Sequence, residues 1–275
     1  MTSIWRISLL AILVCATGLG RAEESEVDTR KSPPDNARWL TLIVQAEDDI
    51  APQPVSLEYQ AGQCSELRSY GVGGQSQSGR TRMPAVHFEK IDLSKESSGQ
   101  RYRARIALDA GGNCQWKLVG LSTQFKYTSP HAQTRGQELL SQRIQVVFAD
   151  RKNAVRKLNV RMRFQYFPVI YLADKPEQNS IRLQSGGFPD LPSFDPEESG
   201  IMMLQFKVFN DLAMTATADP QNRYLYRTTY PDGATGSANS VGVMDERMIC
   251  LMETRAAGGT DFQRCNRFAP VNDKR

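Results

Sequence analysis

The chain is poor in the residues that most hydrolytic and metal-dependent chemistry requires. It carries two histidines, His87 and His131, in 275 residues. Neither lies in a His-x-x-x-His or His-Glu-x-x-His spacing, which argues against a zinc site. The Gly-x-Ser-x-Gly elbow is missing, since Gly74-Gln75-Ser76-Gln77-Ser78 fails at its last residue. No Gly-rich loop runs into Lys-Ser or Lys-Thr, so the usual phosphate cradle is absent. The acid pairs Asp48–Asp49, Glu197–Glu198 and Asp245–Glu246 are adjacent in sequence. Neighbouring residues of a strand face opposite ways, so adjacency does not bring two carboxylates onto one glycosidic bond. Strong charge of one sign is lacking too: 34 basic and 30 acidic side chains give a net +4. Global charge therefore selects no anionic partner. These absences predict a protein that is not an enzyme and needs no metal or cofactor.

One long apolar run is present, and it is N-terminal. Arg6 precedes ISLLAILVC at residues 7–15, and Gly20-Arg21-Ala22 offers small residues where a signal peptidase reads. This is the layout of a secretory signal over residues 1–22, cleaved after Ala22. The run is too short for a membrane anchor, which needs about 20 apolar residues. A lipoprotein reading would acylate Cys15, but Val14 stands before it where a small residue is usual. Export removes nucleic acid and cytosolic nucleotides from the expected partners. The charged, proline-containing stretch 23–36 is expected to be a disordered leader.

Cleavage leaves four of the five cysteines, Cys64, Cys114, Cys250 and Cys265. No Cys-x-x-Cys occurs among them, so structural disulfides are expected in an oxidising compartment. Four cysteines allow three pairings. Locality favours Cys64 with Cys114 and Cys250 with Cys265.

Period-2 alternation dominates the middle of the chain. Leu158, Val160, Met162, Phe164 and Tyr166 fall on one side of a strand, and Asn159, Arg161, Arg163 and Gln165 on the other. Residues 102–108 repeat the design, with further strands expected at 39–45, 55–59, 87–93, 115–127, 143–149, 201–209, 224–229 and 248–252. Turn residues separate the runs, and the Gly/Ser-rich stretch 70–79 reads as a mobile loop. The predicted fold is all-β: an antiparallel sandwich over 37–172, stapled by disulfides, with a C-terminal β-rich lobe over 173–275.

The strongest pattern beyond the core is cationic. Arg101, Arg103 and Arg105 share one strand face, and Lys157, Arg161 and Arg163 share another. If both strands lie in one sheet, they form an arginine-rich face. Guanidinium forks suit carboxylates or phosphates, so the face would take an acidic protein or lipid phosphates. The plainer alternative is a solvated face balanced by nearby acids.

Gly111-Gly112-Asn113-Cys114-Gln115-Trp116 delivers a cysteine into a strand beside a tryptophan. This segment resembles segments of uncharacterised exported β-rich proteins of Gram-negative bacteria. The resemblance implies a periplasmic location and, because some such proteins are thought to be immunity proteins, a toxin as partner. It carries no functional residue across. The expected function is protein binding without catalysis. A lipid- or glycan-binding module, with an aromatic platform from Tyr224, Tyr226 and Tyr230, is the alternative. A carboxylate-dependent envelope hydrolase comes after it.

Overall fold

The computed structural model describes residues 27–72, 75–97, 99–129, 136–173, 175–185, 191–222, 224–238 and 246–268. The expected signal segment 1–22, Cys15 and His131 lie outside the described residues. In chain order the strands are β1 (Trp39–Gln45), β2 (Ile50–Pro52), β3 (Val55–Val72), β4 (Gln75–Ile91), β5 (Ser94–Lys95), β6 (Arg101–Ala107), β7 (Asp109–Gly111), β8 (Trp116–Thr123) and β9 (Phe125–Tyr127). They continue as β10 (Leu139–Leu140), β11 (Ile144–Val147), β12 (Val160–Leu172), β13 (Ser180–Ser185), β14 (Gly200–Val208), β15 (Met214–Ala218), β16 (Tyr226–Thr229) and β17 (Thr235–Ala238). One α-helix, α1 (Glu246–Ala256), is found among the described residues. The fold is all-β.

The strands form three sheets. The largest has the order β17-β16-β15-β12-β14-β1-β6-β5, with β13 also on β12. The second is β11-β8-β3-β4 with β7 on β8, and the third is β10-β9-β2. The second sheet is antiparallel throughout. The largest is mixed, because β14 runs parallel to both β1 and β12, and β15 parallel to β12. Here the expected antiparallel arrangement does not hold. Alternation reports that a strand is half-buried, not which way its neighbour runs.

One core gathers the inward faces of the two larger sheets. Leu40, Leu42 and Val44 of β1 meet Leu57 and Tyr59 of β3, Trp116 and Leu121 of β8, Phe164 and Tyr166 of β12, and Leu204 and Phe206 of β14. Each large apolar side chain buried this way contributes about 1.5–3 kcal/mol. A second cluster sits on the opposite face of β12, where Phe167 and Val169 pack with Met214, Tyr230 and helix residues Met248, Leu251 and Met252. Residues 248–252 are thus helical, against the strand expectation. Arg247, Met248, Leu251, Met252 and Thr254 are buried at helical spacing, and a five-residue apolar run does not separate the two periods.

β14 also overrides the expected boundary at residue 172. It lies between β12 and β1, so a strand from the C-terminal stretch completes the centre of the sheet. The cysteines pair as Cys64–Cys114 and Cys250–Cys265, with Cα–Cα distances of 5.0 and 5.7 Å. The backbone of the Gly/Ser-rich stretch continues the β3–β4 ribbon rather than looping out: Ser69 pairs with Arg80, Gly71 with Ser76 and Val72 with Gln75.

The leader departs most from expectation. From residue 27 onward it lies against β7 and β8. The Ser32 N–H donates to the Ala110 carbonyl at 2.9 Å, and the Gly112 N–H to the Ser32 carbonyl at 3.3 Å. Trp116 Nε1–H donates to the Asp28 carbonyl at 3.1 Å. Lys31 pairs with Glu89 and sits 4.6 Å from the centre of the Tyr59 ring. The glycine pair permits this. Gly111 and Gly112 have φ of +60° and +72°, and a Cβ on them would fall 2.3 Å from Ser32 O and 2.2 Å from Arg30 O. The Gly-Gly-Asn-Cys-Gln-Trp segment is therefore the dock of the leader. Composition misjudged the leader because backbone hydrogen bonds to β7 and the Lys31–Glu89 pair hold it, with Val27 alone among its described residues packed against the core.

Candidate functional site: an arginine-bordered face

Sheet order and register decide what the cationic strands can do. On β1 the pattern of alternate burial turns Leu40, Leu42 and Val44 inward and leaves Trp39, Thr41, Ile43 and Gln45 on the outer face. β6 pairs with β1 so that Arg105 stands beside Thr41, Arg103 beside Ile43 and Arg101 beside Gln45. On the other side of β1, Ile201, Met203 and Gln205 of β14 stand beside the same three residues. β12 then places Arg161 beside Met203 and Arg163 beside Gln205.

Two rows therefore cross the sheet. One reads Arg103, Ile43, Met203, Arg161, and the other Arg101, Gln45, Gln205, Arg163. Arginine borders a central strip on both sides, three strand intervals apart, or about 14 Å between backbone columns. Trp39, Ile43, Ile201 and Met203 make one end of the strip apolar, with Ile201 45% exposed. The other end is polar. Gln205 Nε2 donates to Gln45 Oε1 at 2.6 Å, and Arg163 Nε donates to Gln205 Oε1 at 3.2 Å. Glu47 and Lys207 close that end at 3.8 Å. Burial pushes the Glu47 carboxyl above its ordinary value, and the Lys207 charge works against that rise.

Five of the six cations expected on this face are exposed strand residues on it, and the sixth, Lys157, is exposed but precedes β12, which begins at Val160. Leu158 before β12 is buried, but the Val160 N–H donates to the Leu158 carbonyl at 2.6 Å, so no ladder register places Lys157 beside the other cations. Among the described residues, none of Arg101, Arg103, Arg105, Arg161 and Arg163 makes an ion pair. Arg105 instead stacks over Trp39, its guanidinium carbon 4.1 Å from the ring centre. The outer positions of β1, β6, β12 and β14 hold no acid; the nearest acids are Glu47 at the polar end and Glu96, whose N–H donates to the Arg101 carbonyl at 2.8 Å.

The sequence missed the strip itself. Trp39, Ile43, Ile201 and Met203 read as ordinary alternation, and only the insertion of β14 beside β1 brings them together.

The other candidates disperse. His87 is half-buried, with its ring 5.8 Å from that of Trp116. Among the described residues no group of three His, Cys, Asp or Glu side chains could hold a metal ion. Asp49 accepts a hydrogen bond from Asn210 at 3.1 Å, while Glu197 and Glu198 are exposed. Asp245 lies outside the described residues. The three tyrosines form no platform: Tyr230 is buried in the second cluster, Tyr226 meets Tyr171 edge-on at 5.5 Å, and Tyr224 is 66% exposed.

No helix of the described residues is long and apolar enough to cross a membrane. Comparisons with family models, curated proteins and solved structures return no match for this chain.

Proposed function

We propose that this is a non-enzymatic periplasmic protein, exported by a signal cleaved after Ala22, that docks an acidic surface of another protein on its arginine-bordered face. In this reading its two larger sheets form a disulfide-stapled sandwich that carries this face on its outer side. The partner class we favour is a toxin delivered into the periplasm, which makes the protein an immunity protein. One observation carries the reading: five arginines from two strands flank one strip without an ion pair among the described residues. Like charges held side by side repel, and an incoming acidic surface relieves that repulsion while gaining forked hydrogen bonds.

The test is protection. The protein is co-expressed in the periplasm with candidate periplasm-targeted toxins, a secreted phospholipase and a peptidoglycan hydrolase. Expected is survival with the wild type and loss of survival with Arg103→Glu/Arg161→Glu, both forms accumulating equally. Equal protection by both forms, or none by the wild type, overturns the proposal.

A second reading, a glycan-binding module, is favoured by a different surface. Phe88 is 67% exposed on the second sheet, beside a depression of about 430 Å³ lined by Glu58, Ser122, Arg143 and Gln145. Binding of soluble peptidoglycan fragments that vanishes in Phe88→Ala would favour it over the first.

A further inference from the structure

We infer that the element filling the trough between the two arginine columns is an acidic amphipathic α-helix of the partner. This rests on the reading of the arginine face as the docking surface and gives the partner a shape. The strands beneath the face have their backbone groups paired within the sheet. A partner therefore cannot add a strand here and must dock through side chains.

The dimensions then choose a cylinder. The columns stand about 14 Å apart, and a helix with its side chains is about 10–12 Å across. From Trp39 to Gln45 the trough runs six residue steps, about 20 Å, which a helix covers in about 13 residues. Its floor is apolar along Ile201, Ile43 and Met203, with the Trp39 ring under Arg105 at one end, so the helix needs an apolar stripe at i, i+3, i+4 and i+7. Its walls are Arg103 and Arg105 on one side and Arg161 and Arg163 on the other, so acids must flank that stripe on both sides. A flat anionic membrane fits less well. At the polar end, Ala256 of α1 joins Gln45, Arg163, Gln205 and Lys207 around a cleft of about 370 Å³, which recesses the floor.

The test uses the folded protein with two synthetic peptides of about 13 residues and identical composition. One places leucines in a single helical stripe flanked by glutamates, and the other permutes them around the helix. Trp39 lies in the trough and Trp116 in the core, so emission lost in Trp39→Phe reports occupancy. The striped peptide is expected to bind at least about tenfold tighter than the permuted one, more weakly with added salt, and undetectably to Arg103→Glu/Arg161→Glu.

Met203→Lys is the sharper variant. It adds a cation to a half-buried outer position, so charge alone would tighten binding of an acidic peptide. A helix seated on an apolar floor instead loses about tenfold. Circular dichroism matching the wild type confirms that the variants fold. Equal affinity of the two peptides, tighter binding by Met203→Lys, or a Trp39 response to anionic phospholipid vesicles but to neither peptide overturns the helix. Striped-peptide binding without toxin protection keeps the helix and removes the toxin. Protection with equal peptide affinities does the reverse.

Discussion

Arg103 and Arg161 stand at the two ends of one row of the large sheet, with Ile43 and Met203 between them. They come from strands 58 residues apart in sequence, and each is exposed beside an apolar neighbour. Like charges held this way do nothing for the fold, and that gives the first expectation.

Arg103→Gln/Arg161→Gln should leave stability within about 0.5 kcal/mol of the wild type, or raise it slightly, because no ion pair is lost and repulsion is relieved. Urea unfolding midpoints measure this. A loss above about 2 kcal/mol would mean that the arginines serve the fold instead.

Gly112→Ala should release the leader. The new Cβ would fall 2.2 Å from the Arg30 carbonyl oxygen, in a backbone conformation with φ of +72°. The strain is about 1–3 kcal/mol, and the leader can escape it by detaching. The expected signature is rapid proteolysis within residues 27–36 while the rest of the chain resists. Gly233→Ala is a suitable control. It has a similar φ of +83° but open space around it, so it should leave the leader protected.

Asp109 should make part of the stability pH-dependent. Arg38 grips it with a fork, Nη2 to Oδ1 at 2.6 Å and Nε to Oδ2 at 2.7 Å. That bond holds the Asp109 carboxyl below the ordinary range, against the opposing effect of burial. A carboxyl depressed on folding stabilises above its unfolded value of about 3.9, and the gain disappears as pH falls through the depressed value. Asp109→Asn should thus cost about 1–3 kcal/mol at neutral pH, and the gap to the wild type should narrow as the pH falls below the unfolded value. Denaturant titrations at several pH values test this. A gap that stays constant down to pH 2 would refute it.

Cys250→Ala/Cys265→Ala should cost about 3 kcal/mol on the chain-entropy account of a loop near 15 residues. The loss should be local. α1 covers Phe167 and Val169 from the outer side of the sheet, so amide exchange should rise in residues 246–268 and on β12 near Phe167. Protection along β1 and β8 should hold. Uniform loss of protection would show that the two buried clusters unfold together.

The strands were the legible part of this fold. Alternation along 158–166 and 102–108 marked which side chains turn inward, because a strand with one wet face must repeat every second residue. Locality chose the disulfide pairs for a similar reason: Cys250 and Cys265 are near in the chain and meet across one short connection. What could not be read was anything that depends on who neighbours whom. Nothing local to residues 200–208 says that they slot between β1 and β12, and the strip joining Ile43 to Met203 exists only because they do. The arginines of the candidate site were visible, but the trough they border was not. Lys157 lies before the strand, so alternation alone could not fix its place on the face.

The parallel placement of β14 also dictates an order of events during synthesis. Until about residue 208 has emerged, β1 has β6 on one side and a bare edge on the other, and β12 waits with an unmet edge of its own. Bare edges invite pairing with strands of other chains. The two ribbons can be welded only by a segment made more than 150 residues after the first of them. A nascent chain of this protein therefore reaches its stable form late, after contacts far apart in sequence have closed.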